Sequence, residues 1–309
     1  MSQNVRHIPV MLNEVLETLS PKDGETYVDA TFGNGGYTEA ILNSANCNVI
    51  AIDRDPSVIT RVEELKKIYG NRFDFKAGTF GEIRDLIDTP VNGVVFDIGV
   101  SSMQLDDDFR GFSFSKEADL DMRMSMKGTS AKDIVNTLRE EDLANLIYQY
   151  GEEKKSRQIA HRIVEYRNTK EIETTTELAD IIYKVMPKKF GQIDPATRTF
   201  QALRIAVNDE LGQLKEGLEG ALSVTKNEGR IVVVDFHSLE DRIVKTFFAN
   251  NSAKKVHVSR YKDTEINNEY PLSFVSKAIS PTDKECSNNP RARSAKLRYA
   301  IIRKETNNE

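Results

Sequence analysis

The chain has 309 residues, of which 39% are apolar and 29% are charged, and its formal net charge is −5. This composition is that of a folded globular protein and excludes disorder over most of the length. The longest apolar runs, such as residues 231–234, have the length of a strand and are too short to span a membrane. The chain has two cysteines without a CxxC motif and no apolar signal segment, which predicts a cytoplasmic protein without disulfides. The polar residues 305–309 predict a frayed C-terminal end.

The first predicted elements are typical of a nucleotide-binding crossover. A strand over residues 26–31 leads through a tight turn into a helix over residues 36–43, and a second strand over residues 48–52 ends at Asp53. The turn contains three glycines, Gly33, Gly35 and Gly36. Glycine lets the backbone approach a ligand, and a carboxylate twenty residues after the first glycine can accept hydrogen bonds from both ribose hydroxyls. The spacing favours a nucleoside cofactor, either NAD or S-adenosylmethionine (SAM), with a purely structural turn as the alternative.

The alternation of strands and helices continues to about residue 97 and then stops. Further strands are predicted over residues 72–76 and 93–97, with helices near 56–69 and 81–87. Residues 130–212 show helical periods and no convincing strand, with capping boxes at Ser130 to Asp133 and at Thr174 to Glu177. Strands return at residues 230–235, 255–258 and 297–302. The pattern predicts an α/β domain with a parallel sheet, interrupted by a helical insertion of roughly 100 residues.

A buried strand ending at Asp97 is predicted to lie beside the first strand. Ligands bind at the carboxyl ends of the strands in open parallel sheets, so Asp97 and the nearby Gln104 are candidate ligand contacts. A turn cap is the alternative role for Asp97. Phe80, after the third strand, is a candidate for stacking on an adenine, although a lone Phe is more often part of the core.

A second polar cluster follows the strand over residues 230–235. In the segment from Asp235 to Arg242, His237 and Ser238 are predicted to face the same crevice as Asp97 and to contact a substrate. Ser238 is also a candidate cap for a helix starting at Leu239. The histidines of the chain are scattered and form no metal-binding motif, so we expect no metal site.

The helix predicted after Pro195 has a polar stripe beside an apolar one. The polar stripe consists of Thr197, Gln201, Arg204 and Asn208. It suits phosphate or base contacts, although a solvated face is the default. Arg204 on the stripe and the nearby Arg198 are candidates for contacting RNA.

Residues 250–309 carry 12 Lys and Arg against 7 Asp and Glu, whereas the rest of the chain is acidic. A polyanion would therefore dock on this part, with a solvated basic surface as the alternative. Its basic residues include Lys254, Lys255, Arg260, Lys262, Arg291, Arg293, Lys296 and Arg298.

Nine segments occur in the order found in a known family. They are DATFGNGGYT, AIDRDP, FDIGVSSMQLDD, RGFSF, LDMRM, YGEE, PATRTFQALRIAVNDEL, FHSLEDRIVK and NPRARSAKLR. The chain thus resembles the ribosomal RNA small subunit methyltransferase H family, also called MraW, over essentially its whole length.

The resemblance implies a class I SAM-dependent methyltransferase with a Rossmann-like α/β fold and an inserted all-helical domain. The methyltransferase domain would comprise residues 1–105 and 213–309, and the substrate-recognition insertion residues 106–212. SAM would donate a methyl group to the exocyclic N4 of a cytidine in the P-site region of 16S rRNA, in the small ribosomal subunit, and leave as S-adenosylhomocysteine (SAH). The oligomeric state stays open between monomer and homodimer.

The family's motifs also assign the cofactor site, which would contain Gly35, Gly36, Tyr37, Asp53, Phe80, Asp97 and Gln104. We further hypothesise that Asp97 shapes the catalytic site, with His237 contacting the base. The polar stripe and the basic C-terminal part make Arg198, Arg204, Arg291 and Arg293 the predicted RNA contacts.

Three positions depart from the family pattern. Tyr37 stands where the family usually has His, Asp235 where a small hydroxyl residue is usual, and Met103 where Pro is usual. The backbone N–H of Tyr37 can still serve a ligand. Two rival functions stay open: an NAD-dependent oxidoreductase, which Asp97 and Gln104 disfavour, and a non-catalytic RNA-binding assembly factor.

Overall fold

A computed structural model describes residues 9–101, 104, 109–253 and 270–303. The chain divides into two compact units, residues 1–99 with 211–309 and residues 100–210. Several sequence predictions lie outside the described residues: the strand over 255–258, the end over 305–309, and the positions His7, Met103, Lys254, Lys255, His257, Arg260 and Lys262.

The first unit is built on a seven-stranded sheet. In chain order its strands are β1 (Thr26–Asp29), β2 (Asn48–Asp53), β3 (Phe73–Ala77), β4 (Val91–Asp97), β5 (Thr225–Asp235), β6 (Leu272–Val275) and β7 (Lys296–Ile302). The order across the sheet is β3-β2-β1-β4-β5-β7-β6. Strands β1 to β5 run parallel, while β7 is antiparallel to both β5 and β6. The predicted parallel sheet is confirmed.

Two features of this sheet were not predicted. Strand β6 was missed because it is only four residues long and half of its side chains are exposed, which gives little apolar signal. Strand β5 begins at Thr225 rather than residue 230, because the polar residues before Arg230 mask its start.

Helices cover the sheet of the first unit. They are α1 (Leu12–Leu19), α2 (Gly36–Ser44), α3 (Ile59–Tyr69), α4 (Ile83–Leu86), most of α10 (Glu210–Val224), α11 (Ser238–Asn250) and α12 (Asp283–Asn288). Apolar side chains of the strands, such as Val94 and Val233, pack in one cluster with Leu214 of α10 and Val244 of α11. This packing holds the carboxyl ends of β1, β4 and β5 in fixed positions.

The described residues of the second unit form helices from Ala131 onward, while residues 109–130 are turns and irregular chain. Its helices are α5 (Ala131–Thr137), α6 (Glu140–Gly151), α7 (Ser156–Arg167), α8 (Thr175–Val185) and α9 (Ala196–Asn208). Both predicted capping boxes are confirmed, with Ser130 pairing with Asp133 and Thr174 with Glu177. The helices share a separate apolar core that includes Ile147.

No described helix of either unit combines the length and the apolar character that crossing a membrane requires.

Candidate cofactor and active site

Three aspartates end three neighbouring strands of the first unit. Asp29 ends β1, Asp53 ends β2 and Asp97 ends β4. The strand order reverses between β1 and β4, and such a switch point opens a crevice at the carboxyl ends of the strands. The sheet therefore brings together Asp53 and Asp97 of the predicted cofactor residues, at the edge where a ligand is expected.

Asp53 is hydrogen-bonded to the glycine loop. Its Oδ2 accepts from the backbone N–H of Gly33 at 2.7 Å, and its Oδ1 accepts from the N–H of Asp55 at 2.8 Å. Each carboxylate oxygen has a second lone pair, so both can accept a further bond from a ribose hydroxyl. Burial raises the pKa of Asp53, and the two backbone donors oppose that rise.

Asp29 is a site residue that sequence reasoning missed. It is fully buried, and its Oδ2 accepts from both the backbone N–H and the hydroxyl of Thr38, at 3.1 and 2.7 Å. Its Oδ1 accepts from the N–H of Thr31 at 3.2 Å. Burial raises its pKa to about 6, against these three hydrogen bonds. Asp29 thus fixes both ends of the glycine loop. The sequence signal that could have identified it is the pair of threonines, Thr31 and Thr38, that follow this strand-ending aspartate by two and nine residues.

Glycines 35 and 36 are required by packing. A Cβ on Gly36 would lie 2.3 Å from Cγ of Pro9, and a Cβ on Gly35 would lie 2.9 Å from side-chain atoms of Phe32 and Leu65. Gly35 also has a φ of 75°, in the left-handed region that favours glycine. The close approach made here is therefore to other parts of the protein. At the start of α2 the backbone N–H of Thr38 is held by Asp29, which leaves those of Gly36 and Tyr37 for a ligand.

The Tyr37 side chain contacts the N-terminal segment. It is buried, and its hydroxyl donates a hydrogen bond to the carbonyl of Val10. The backbone N–H of the next residue, Met11, donates to Oε1 of Glu285 at 2.6 Å. Within this unit, the tyrosine in the usual histidine position anchors the segment that precedes α1.

Phe80 lies in the short 3-10 helix Phe80–Glu82, after β3. It is partly buried and meets Phe96 of β4 edge to face, with ring centroids 6.0 Å apart. Thr79 and Glu82 form a capping box that fixes this turn. The ring is thus held at the carboxyl end of the sheet, with part of its surface open to stacking.

Asp97 has an unusual electrostatic environment. Its Oδ1 is buried with no hydrogen-bond partner, whereas its backbone N–H donates to Oγ1 of Thr31 at 2.7 Å. Burial, together with the negative charges of Asp29 and Glu240, raises the pKa of Asp97 to about 8. A buried acceptor without a partner is costly and is characteristic of a group that meets a ligand.

His237 is the N-cap of α11. Its Nδ1 accepts from the backbone N–H of Glu240 at 3.4 Å, and its Nε2 lies 3.0 Å from Oε1 of the same residue. The prediction of Ser238 as the cap was wrong, because α11 begins at Ser238 and the capping box uses His237 and Glu240. The cap is an imidazole instead of the Ser, Thr, Asp or Asn side chain that the sequence pattern predicts at this position. Both ring nitrogens of His237 are therefore directed at Glu240.

Asp235 is a buried carboxyl at the end of β5. It is 1% exposed, and neither carboxyl oxygen has a hydrogen-bond partner. Burial raises its pKa to about 8, helped by Asp241 and Glu240 and opposed by Lys296 and Arg298. Those two cations are instead bound to Asp241, at 3.0 and 2.7 Å.

Gln104 belongs to the second unit. Its side-chain Oε1 accepts a hydrogen bond from the backbone N–H of Ser101 at 3.0 Å, and its backbone N–H donates to the hydroxyl of Ser101 at 3.2 Å. The side chain is buried in that local turn.

Three of the four residues of the polar stripe of α9 make side-chain contacts within the second unit. Arg204 makes a bidentate pair with Glu210, with both N–O distances at 2.8 Å. Gln201 donates to the carbonyl of Tyr150, and Asn208 bonds to the backbone of Met122 and Met124. The default expectation of a solvated face was wrong here, because these groups satisfy buried backbone atoms and a buried carboxylate.

The other predicted RNA contacts are more accessible. Arg198 is 53% exposed, and its Nη1 lies 3.8 Å from Oε2 of Glu153. Arg291 and Arg293 lie in the 3-10 helix Pro290–Ser294 of the first unit, where Arg293 is exposed and Arg291 partly buried.

The residues present fit SAM. Asp53 keeps acceptor capacity for a ribose, Phe80 offers a ring face for adenine, and the unpartnered Oδ1 of Asp97 can face the positive sulfonium. The strand order β3-β2-β1-β4-β5-β7-β6, the antiparallel β7 and a site at the carboxyl ends of the parallel strands together define a class I SAM-dependent methyltransferase with a Rossmann-like fold. SAM is the methyl donor of this class.

The comparison with known proteins gives the family. The model of the MraW methylase family matches residues 4–303, and the chain belongs to that family. Proteins from Rickettsia massiliae and Rickettsia conorii, both named ribosomal RNA small subunit methyltransferase H, are 54% and 53% identical over 298 residues. In each case 95% of this chain and 97% of the relative are covered. The sequence-based family assignment is confirmed.

Solved structures give more distant matches. An rRNA methylase from Streptococcus thermophilus has a TM-score of 0.42 and 9% identity, over 95% of this chain and 94% of that one. A protein from Streptococcus mutans, solved in complex with SAH, has a TM-score of 0.42 and 11% identity, over 96% and 99% of the two chains.

Proposed function

We propose that this protein transfers a methyl group from SAM to the exocyclic N4 of a cytidine in the P-site region of 16S rRNA. The supporting observation is its 54% identity, over 95% of the chain, to a protein named ribosomal RNA small subunit methyltransferase H. The proposed partner is the small ribosomal subunit, and the proposed compartment is the cytoplasm.

The two parts of the chain have different proposed roles. Residues 1–105 and 213–309 would form the methyltransferase domain, since they carry the glycine loop, Asp53 and Asp97. Residues 106–212 would form the substrate-recognition insertion, which has its own apolar core and so presents a preformed surface to RNA.

The reaction needs positioning more than covalent help from the protein. The lone pair of the cytosine amino group is delocalised into the ring, so this nitrogen is a poor nucleophile. A site that holds N4 in line with the methyl group and accepts hydrogen bonds from its N–H groups favours pyramidal nitrogen as the new bond forms. Positioning of this kind can contribute ~7 kcal/mol or more to lowering the barrier.

Asp97 is the proposed acceptor and positioning group. An aspartate whose pKa is raised to about 8 is a stronger base than an ordinary carboxylate, and it titrates close to neutral pH. Ionised Asp97 would accept a hydrogen bond from N4–H and would be balanced by the positive charge of the donor. SAM supplies the methyl group when bound, and the chain's residues hold both partners and remove the proton.

His237 has a narrower proposed role than the sequence suggested. Its side chain is 12% exposed and both ring nitrogens are directed at Glu240, so it would contact a base through the remaining exposed part of the ring rather than through a nitrogen. Loss of this ring would then affect RNA positioning as well as the start of α11.

RNA binding must also supply the free energy for unstacking the target base, which costs a few kcal/mol. The proposed phosphate contacts are Arg198, Arg291 and Arg293, and Arg204 to a lesser extent because Glu210 already binds it. Such contacts position the RNA without reading its sequence.

The test is methyl transfer from radiolabelled SAM to small subunits lacking the modification, followed by nucleoside analysis. We expect N4-methylcytidine in 16S rRNA and loss of the product with Asp97→Ala. Methyl groups on another atom or another RNA would contradict the proposed specificity. Binding to rRNA without transfer would indicate an assembly factor, and stabilisation by NAD but not SAM an oxidoreductase.

A further inference from the structure

The α8–α9 loop, residues 186–195, exposes apolar side chains at its tip. Phe190 is fully exposed, and Ile193 is 80% exposed. Phenylalanine and isoleucine are usually buried, and their exposure on a loop adds nothing to the packing of the core. Exposed apolar residues on a binding domain mark a contact surface when the neighbouring residues favour one partner.

The base of the loop is fixed by three side chains. Asp194 accepts from the hydroxyl of Tyr183 at 3.1 Å and lies 3.1 Å from Nζ of Lys188. The same Nζ lies 4.2 Å from the centre of the Tyr183 ring. Asp194 also accepts from the backbone N–H of Ala196, which ties it to the start of α9. The loop is therefore clamped at Lys188 and Asp194, and only residues 189–193 project from it.

Positive charge surrounds this tip. Residues 184–198 contain four basic residues and one acidic residue, and Lys184, Lys189 and Arg198 are exposed. Lys155 of the neighbouring segment reaches the base of the loop, with its Nζ 3.5 Å from the carbonyl of Val185. A set of cations around one aromatic ring suits a phosphate backbone whose bases are free to stack.

We propose that the α8–α9 loop binds single-stranded RNA, with Phe190 stacked on an unpaired base and Lys189 and Arg198 contacting the adjacent phosphates. The proposal rests on the RNA substrate of the proposed function and names a second point of contact for it. Stacking needs only one ring per base, whereas a stable protein interface buries about 800 Å² on each side. A five-residue tip flanked by cations therefore favours RNA over a protein partner.

Fluorescence tests the stacking directly. The chain contains no tryptophan, so Phe190→Trp introduces a single reporter at the tip. Titration with small subunits lacking the modification, and with a transcript of the 16S rRNA decoding region, should quench its emission. Ile68→Trp is the matched control, because Ile68 is 62% exposed on α3 of the other unit. Its emission should stay unchanged.

Binding and kinetics provide a second readout. Phe190→Ala should weaken RNA binding roughly tenfold and raise the KM for RNA, with kcat, SAM affinity and Tm unchanged. Phe190→Tyr should restore binding, since it keeps a stacking face. Lys189→Gln should reduce the slope of log affinity against log salt by about 1, a change that Phe190→Ala should not produce.

Each outcome separates the two proposals. If the wild type methylates rRNA and Phe190→Ala binds RNA equally well, the loop assignment is wrong while the function stands. If the wild type transfers no methyl group to rRNA, the proposed function itself fails. Enhanced, blue-shifted emission of Phe190→Trp with ribosomal proteins, without quenching by the transcript, would indicate an apolar protein pocket and overturn the RNA assignment.

Discussion

The Oδ2 of Asp53 and the backbone N–H of Gly33 are joined by a hydrogen bond of 2.7 Å. The residue predicted to bind the ribose therefore also holds the first glycine of the loop. One carboxylate therefore sets the position of the loop relative to β2 and is also the group that we propose accepts hydrogen bonds from the cofactor.

Asp53→Ala should weaken the binding of SAM and of SAH to a similar extent, by roughly tenfold to a hundredfold. The reason is that hydrogen bonds to a charged group contribute about 1.5–3 kcal/mol, and both ligands carry the same ribose. Isothermal titration calorimetry measures both affinities. Asp74→Ala, an exposed aspartate on β3, should leave them unchanged. Equal affinities for Asp53→Ala and wild type would place the ribose elsewhere.

The affinity for SAM should increase with pH up to about 8, while that for SAH changes less. Asp97 is largely protonated below its raised pKa of about 8, and the positive sulfonium favours its ionised form, so binding SAM releases a proton. One linked proton corresponds to about a tenfold change in affinity per pH unit. Calorimetry in buffers of different ionisation enthalpy counts the protons. Asp97→Asn should remove the effect, and an identical pH dependence for SAH would show that Asp97 does not face the sulfonium.

Asp235→Asn should stabilise the protein at pH 8 and leave its stability close to pH 4 nearly unchanged. The folded-state pKa of Asp235 is about 8 against an ordinary 3.8, so the folded protein binds the proton more tightly. The contribution of the Asp235 carboxyl to the free energy of unfolding is thus fully present below about pH 4 and is lost as the pH rises to about 8. Because one pKa unit corresponds to about 1.4 kcal/mol, we expect a gain on the order of several kcal/mol at pH 8.

Urea unfolding of Asp235→Asn and wild type across this pH range measures the difference. Asp74→Asn serves as the exposed control and should follow the wild type. If the difference in free energy of unfolding between Asp235→Asn and the wild type does not change with pH, Asp235 does not titrate in this range.

Tyr37→Phe should lower the free energy of unfolding by about 1–2 kcal/mol, because it leaves the carbonyl of Val10 without its donor. The Tyr37 hydroxyl does not serve the cofactor in this arrangement, so SAM affinity should change far less than with Asp53→Ala. Denaturant unfolding and hydrogen exchange near residues 10 and 11 give the two readouts. A large loss of SAM affinity at unchanged stability would assign the hydroxyl to the cofactor instead.

Arg204→Ala and Arg198→Ala should have different consequences. Arg204 is 18% exposed and pairs with Glu210, which is 3% exposed, so its removal leaves a buried carboxylate and should cost about 3 kcal/mol of stability. Arg198 is half exposed, and its loss should weaken RNA binding with little effect on stability. Thermal unfolding and filter binding distinguish the two. Undiminished stability of Arg204→Ala would mean that its pair with Glu210 does not stabilise the fold.

Local signals in the sequence were sufficient for much of the fold and part of the site. The periodicity of β1 to β4, the capping residues Ser130 and Thr174, and the spacing from Gly33 to Asp53 were read correctly because each depends on a few neighbouring residues. Helix α1 and strand β6 were missed, since both are short and their stability comes from packing on distant parts of the chain.

By itself the sequence determined the alternation of strands and helices, the family, and the carboxylates at the ends of β2 and β4. Only the tertiary structure decided which of the polar side chains are already engaged: His237 with Glu240, Arg204 with Glu210, and Tyr37 with Val10. It also decided that the Asp235 carboxyl is buried without a hydrogen-bond partner and that the Phe190 side chain is exposed to solvent. The physical reason is that hydrogen bonds and burial depend on which residues meet in space, and pattern and composition do not specify those neighbours.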